Sequence, residues 1–243
     1  MRAYRILRGS QTRHSDQSSV ISHYSTPMLT LIIGNKNLSS WSLRPWLVLK
    51  HFELPFQEVK LPLDTPAFHR DIVKYSPTRR VPLLIDGGLK IWDSLAIAEY
   101  LNEKVQGRAW PADAAARALA RAVSAEMHSG FAALRTHWPM KAIGNASVTL
   151  PAEGLTDVAR VQQLWHDCRS QYAQRGPWLF GEYSIADAMY APVALRFHHY
   201  SASIASPLAQ AYQQQLIQDP YMQQWLAEAR VEVDTGYGTQ PSR

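Results

Sequence analysis

A chain of 243 residues, 46% hydrophobic and 19% charged, carries enough apolar side chains for one large core or two modest ones and reads as a soluble globular protein. Its formal charge of +5 is no argument for nucleic-acid binding, because residues 1–27 supply +3 of it (Arg2, Arg5, Arg8 and Arg13 against Asp16) and leave +2 for the rest. No run approaches the roughly 20 apolar residues of a membrane span. The single cysteine, Cys168, excludes an internal disulfide and a Cys-x-x-Cys redox pair, and fits a reducing, cytoplasmic compartment.

Residues 1–27 are Arg- and Ser-rich and poor in acids, and they lack the continuous apolar core of a secretory signal. They read as a disordered extension from an upstream start, or as a mitochondrial presequence. From Met28 the chain alternates strand and helix signals. The run LTLII (29–33) predicts a strand, the spacing of residues 42–51 a helix, and PFQEVKL (55–61) a second strand. A short helix follows over 65–76, with Pro66 in its first turn. VPLLID (81–86), the turn DGG and LKIW (89–92) predict a hairpin, and residues 93–105 a helix with Leu95, Ala98, Leu101 and Val105 on one face. A βαβ unit followed by ββα is thus expected over residues 28–107.

Beyond the linker QGRAWPADA (106–114) strand signals nearly vanish. One helical stripe runs through Leu119, Val123, Met127, Phe131, Leu134 and Trp138, and another through Val158, Val161, Trp165, Cys168 and Tyr172. Residues 184–200, 207–218 and 220–230 also have helical spacing. The expected architecture is an α/β domain over 28–107 and an all-helical domain over 115–235.

Four motifs, in order, carry a family resemblance: SSWSLRPW (39–46), RRVPLL (79–84), DSLAIAEYL (93–101) and LFGEYSIADAMYAP (179–192). From Met28 to Val233 the chain resembles the cytosolic glutathione S-transferases, and its first motif is similar to the Ser-Ser-Cys-Ser-x-Arg pattern of the zeta class. The resemblance implies a thioredoxin-like N-terminal domain, an all-α C-terminal domain, a homodimer, glutathione as co-substrate and no metal.

The hydroxyl-rich corner has a physical role to match. A strand-to-helix corner turns backbone N–H groups and the positive end of a helix dipole towards a cleft, which favours thiolate over thiol. The resemblance gives Ser39 as the catalytic residue that activates the thiol, with Ser40 and Arg44 as support. From the residues alone, Ser39 reads as a helix cap, and Arg44 is equally a salt-bridged or solvated cation. Trp41 stands where the zeta pattern has cysteine. The resemblance further implies a cis bond before Pro82, a backbone edge at Val81 that pairs with the cysteinyl unit of glutathione, and Arg80 near its glycine carboxylate. Asp93 and Ser94 open a helix and would hold the ammonium and carboxylate of the γ-glutamyl unit, or simply cap it. Ser184 and Asp187 form a capping-box pattern, with a structural role. Trp41, Met127, Phe131 and Arg196 are the candidates to wall the electrophile. His198 and His199 have no metal-ligand partner at suitable spacing.

The expected function is activation of glutathione for attack on a small apolar electrophile, without nucleic-acid, membrane or metal partners. A zeta-like cis–trans isomerase and a non-catalytic glutathione-transferase-like binding module are the alternatives. The sequence names neither the electrophile nor the pathway.

Overall fold

The computed structural model describes residues 28–237, so the Arg- and Ser-rich segment 1–27 and its two readings lie outside the described residues. The N-terminal layer runs β1 (Leu29–Ile33), α1 (Ser40–His51), β2 (Phe56–Lys60), α2 (Pro66–Ile72), β3 (Leu83–Asp86), β4 (Leu89–Ile91) and α3 (Ser94–Lys104). The sheet order is β2-β1-β3-β4. β1 runs parallel to β2 and antiparallel to β3, which pairs antiparallel with β4.

Side-chain alternation along β1 sorts the core into two parts. Leu29, Leu31 and Ile33 join α1 and α3 on one face. Ile32 and Leu83 turn to the other, where Phe68 and Ile72 of α2 cover them. α2 is shorter than expected, starting at the Thr65 cap, whose hydroxyl oxygen accepts a hydrogen bond from the Phe68 N–H at 3.1 Å.

The remaining helices are α4 (Ala114–Ser129), α5 (Ala132–His137), α6 (Ala152–Tyr172), α7 (Ile185–His199), α8 (Pro207–Gln218) and α9 (Pro220–Asp234). The stripe from Leu119 to Trp138 is therefore two helices rather than one. Gly130 caps α4, Phe131 takes a left-handed φ of 55°, and the Leu134 N–H then donates to Asp157 of α6 at 2.9 Å. That tertiary bond redirects the chain while leaving the apolar spacing intact, so periodicity alone does not reveal the break.

α7 is the axis of the helical layer, with every residue except His198 buried. The expected capping box at its start is present. The buried Asp187 carboxylate accepts from the Ser184 N–H (2.8 Å) and hydroxyl (3.0 Å), the Leu179 N–H (2.9 Å) and the Tyr212 hydroxyl (2.9 Å).

A knot of polar contacts fastens α9 to the loop between β1 and α1. Lys36, 1% exposed, pairs with Glu58 at 2.8 Å and with Glu228, and lies over the rings of Trp46 and Trp225. The Trp225 indole N–H donates to the Lys36 carbonyl at 2.8 Å, and the Asn37 N–H to Glu232 at 3.1 Å. Asn35 accepts from the Leu63 N–H at 2.7 Å, and Asn37 from the Ile143 N–H at 3.0 Å. A Cβ at Gly34 would come within 2.7 Å of the Leu63 side chain, so a larger residue there would force that side chain to shift. Much of the polar loop before Ser39 is thus spent on fixing where α1 begins.

Candidate active site

α1 starts two residues earlier than its apolar spacing suggests, at Ser40, with Ser39 at the N-cap position. Ser39 makes no side-chain cap bond there. Its hydroxyl donates instead to the Ser42 hydroxyl at 2.7 Å, which also accepts from the Gly34 N–H at 3.2 Å. Simple capping is therefore not what Ser39 does. Ser39 and Ser40 are both buried at the corner.

Beside the corner lies a cleft of about 530 Å³ between the two layers, lined by Trp41, Thr78, Arg80, Val81, Pro82, Trp92, Asp93, Ser94 and His128. Five of the sequence candidates, Arg80, Val81, Pro82, Asp93 and Ser94, come together in it with Trp41. The Val81–Pro82 bond is cis, as expected. Asp93 caps α3, one carboxylate oxygen accepting from the N–H groups of Leu95 (3.0 Å) and Ala96 (3.4 Å). The other oxygen lies 2.8 Å from Nε2 of His128. Ser94, the first residue of α3, is buried with its hydroxyl unpartnered, at a helix terminus whose first turn carries no acid. The lining thus offers a hydroxyl, a helix N-terminus and a carboxylate within one concave surface, the donor and acceptor set that a zwitterionic peptide end requires.

The other electrophile candidates are not in the cleft lining. Met127 and Phe131 belong to the hydrophobic core. Arg196 is buried, and its guanidinium donates to the carbonyls of Trp138 (2.8 Å) and Pro192 (3.2 Å). Burial, with Arg135 nearby, pushes that guanidinium down to about 10. Among the described residues Arg44 has no salt-bridge partner, and it is not solvated: it is 1% exposed and stacks on Trp41 with its guanidinium carbon 4.0 Å from the ring centroid.

His128, Trp92 and Thr78 line the cleft without having been foreseen. His128 stands edge-on to Trp41, with ring centroids 5.4 Å apart, and reaches Asp93 from the far layer. Its place on α4 has an ordinary helical explanation, and no local motif signals the contact. Cys168 is buried away from the site, and burial pushes its thiol up to about 12, so it stays protonated near neutrality. Among the described residues, no group of three or more His, Cys, Asp or Glu side chains could hold a metal ion.

Residues 38–104 match the family Glutathione S-transferase, N-terminal domain. The fold overlays on a glutathione transferase homologue from Burkholderia with bound glutathione, at a TM-score of 0.63 and 25% identity, covering 84% of this chain and 99% of that one. The fold and N-terminal domain are those of the glutathione S-transferase superfamily. A glutathione transferase homologue from Drosophila mojavensis, also with bound glutathione, has the same fold (TM-score 0.62, 21% identity, 84% of this chain and 97% of that one). By sequence, the dichloromethane dehalogenase of Methylorubrum extorquens is 42% identical over 57 residues, 23% of this chain and 20% of that protein. The maleylacetoacetate isomerase of Rattus norvegicus is 33% identical over 107 residues, 43% of this chain and 50% of that protein. The chain thus spans half or less of the length of the curated relatives it matches. The superfamily's N-terminal domain contains Ser39, Arg80, Val81, Pro82, Asp93 and Ser94, whereas His128, Arg135 and Arg196 lie beyond it. No helix among the described residues is long and apolar enough to cross a membrane.

Proposed function

We propose that this chain is a glutathione transferase of the serine type, in which the hydroxyl corner keeps the glutathione sulfur anionic for attack on a small electrophile. One observation carries the reading: a cleft whose wall combines the Val81 backbone edge, the unpartnered Ser94 hydroxyl and the Asp93-capped N-terminus of α3. The γ-glutamyl carboxylate sits at the Ser94 hydroxyl and backbone N–H, where the helix dipole favours negative charge. Its ammonium faces the Asp93 carboxylate, sharing it with His128. The cysteinyl unit pairs with the Val81 backbone, and Arg80, exposed at the cleft mouth, attracts the glycine carboxylate.

This pose directs the sulfur towards the start of α1. There the Ser39 hydroxyl turns from Ser42 to donate to the sulfur, and the α1 terminus adds its positive end. Ser40 and Arg44 support the same charge. The thiol proton leaves to solvent and the thiolate attacks an electrophile seated against Trp41. A homodimer in the cytoplasm is part of this reading.

The cleft also suits the zeta-like alternative, thiol addition followed by bond rotation and elimination, which the stretch similar to maleylacetoacetate isomerase favours. Turnover of a maleyl-type substrate and of a chlorinated aromatic separates the two, with glutathione titration by calorimetry as the common first step. Glutathione is expected to bind wild type and to bind Ser94→Ala more weakly. Absence of binding to wild type would leave only the fold.

A further inference from the structure

The segment between α5 and α6, residues 138–151, has no regular structure, so its backbone groups depend on partners elsewhere. Trp138 closes the segment on itself: its indole N–H donates to the Val148 carbonyl at 2.8 Å, and its ring stacks on Tyr200 with centroids 5.1 Å apart. From one side α7 holds it. The Tyr200 hydroxyl donates to the Pro139 carbonyl at 3.0 Å, and the Ala146 N–H donates to the His199 carbonyl at 2.9 Å. From the other side the loop before α1 holds it. The N–H groups of Ala142 and Ile143 both donate to Asn37, one to its carbonyl (2.9 Å) and one to its side-chain oxygen (3.0 Å). Asn37 lies two residues before Ser39, and its own N–H is taken by Glu232 of α9. The segment is therefore strung between α7 and the hydroxyl corner.

Beneath it lies His199. This residue is 4% exposed, and among the described residues neither of its ring nitrogens has a hydrogen-bond partner. A neutral ring tolerates such a place better than an imidazolium, which brings a charge and a second N–H donor. The groups that act on the ring are Lys141 and the Gly144 backbone from the segment above and His198 from α7, with the Tyr200 ring edge-on at 4.6 Å. No carboxylate is among them. Burial lowers the pKa of His199, and Lys141 and His198 lower it further. The Gly144 backbone, close to the ring but outside hydrogen-bonding geometry, opposes them without prevailing. A histidine depressed in this way favours the closed arrangement at neutral pH. That preference declines as the pH falls below about 6.5, the ordinary value that the ring regains once uncovered.

We propose that residues 139–150 are a strap that holds the Ser39 corner in place through Asn37, and that a proton on His199 releases it. Asn37 is then a positioning residue, and the hydroxyl corner is sensitive to acid through a side chain on the far layer. Only the effect on a bound sulfur rests on the transferase reading.

Amide hydrogen exchange of the full chain at pH 7.5 and 5.5, corrected for the intrinsic pH dependence of exchange, tests the strap without glutathione. In wild type the Ala142, Ile143 and Ala146 amides should exchange severalfold faster at pH 5.5. The ceiling is about tenfold for a ring of ordinary pKa about 6.5. The Ser39 and Leu43 amides, bonded to the carbonyls of Asn35 and Ser39, should follow, while β1 keeps its protection. His199→Phe keeps a ring but takes no proton, and should stay closed at both pH values. Unchanged strap protection in wild type, equal acceleration in His199→Phe, or a loss that includes β1 overturns the proposal. So does a strap that opens while Ser39 and Leu43 stay protected. Asn37→Ala should speed exchange at Ser39 and Leu43 already at pH 7.5, and should move the pKa of bound glutathione thiol towards the ordinary value of about 8.5. An unaltered corner in that variant, by either readout, refutes the positioning role. A chain with the expected exchange pattern that binds no glutathione supports the strap and counts against the transferase reading alone. Should His199→Phe fail to fold, Lys141→Glu at an exposed position carries the test. A carboxylate beside the ring shelters its proton, so the acceleration at pH 5.5 must shrink, and an unchanged acceleration refutes the proposal.

Discussion

Ser94 is a buried hydroxyl without a partner at the Asp93-capped start of a helix, and such a group gains most from a ligand. Removing it should cost the hydrogen bond to a carboxylate, about 1.5–3 kcal/mol, or roughly a tenfold to hundredfold rise in the Kd of glutathione by calorimetry. Ser39 is different, because its partner in the proposed mechanism is the sulfur alone. Ser39→Ala is expected to lower kcat while leaving glutathione affinity within about threefold, since a bond made chiefly to the anionic sulfur acts on the rate. Cys168, with its thiol raised to about 12 by burial, should react with a thiol-specific reagent only after unfolding, and rapid labelling of the native protein would contradict its placement. At this scale the sequence was informative wherever a short motif carries its own geometry. Val81–Pro82 and Asp93–Ser94 each join a turn or helix start to a cleft wall. It was silent on His128, which meets Asp93 through a fold contact between residues 35 positions apart that no spacing rule encodes.

Among the elements, α7 depends most on a single side chain. Four donors converge on Asp187 in a buried setting, so Asp187→Ala strands them together. A loss of about 3 kcal/mol or more in urea unfolding is expected, against about 1 kcal/mol for Ser184→Ala, which removes a cap. Equal losses for the two would mean that the carboxylate is only a cap. The strands of the sheet and this capping box were legible because period-2 alternation and Ser-x-x-Asp are local signals. The break at Gly130–Phe131 was not, since the bond from Leu134 to Asp157 decides it, and helical spacing resumes beyond it. Apolar spacing likewise cannot separate a pocket wall from a core residue. Met127 and Phe131 satisfied the pattern by facing inward.

Across the whole molecule, the two layers share one hydrophobic core and are fastened by the Lys36 knot. Burial alone would raise the Glu228 carboxyl, but hydrogen bonds from Lys36 and Gln224 outweigh it and hold the group below the ordinary carboxyl range. A carboxyl depressed in the folded state contributes stability above its unfolded pKa and loses it as the pH falls through the folded one. The fastening of α9 should therefore be intact near neutrality and weaken below about pH 4.5. Glu228→Gln should flatten that acid limb of the Tm profile, and an unaltered limb would remove Glu228 from the fastening. Because Lys36 lies three residues before Ser39, the knot also sets the position of the hydroxyl corner. In the proposed mechanism that corner keeps the guest sulfur ionised, and the most direct test is the pKa of the glutathione thiol in the complex, followed by thiolate absorbance against pH. The account predicts a bound pKa clearly below the ordinary thiol value of about 8.5, returning towards that value in Ser39→Ala. A bound thiol that titrates like the free one, or a depressed value that Ser39→Ala leaves unchanged, would contradict it.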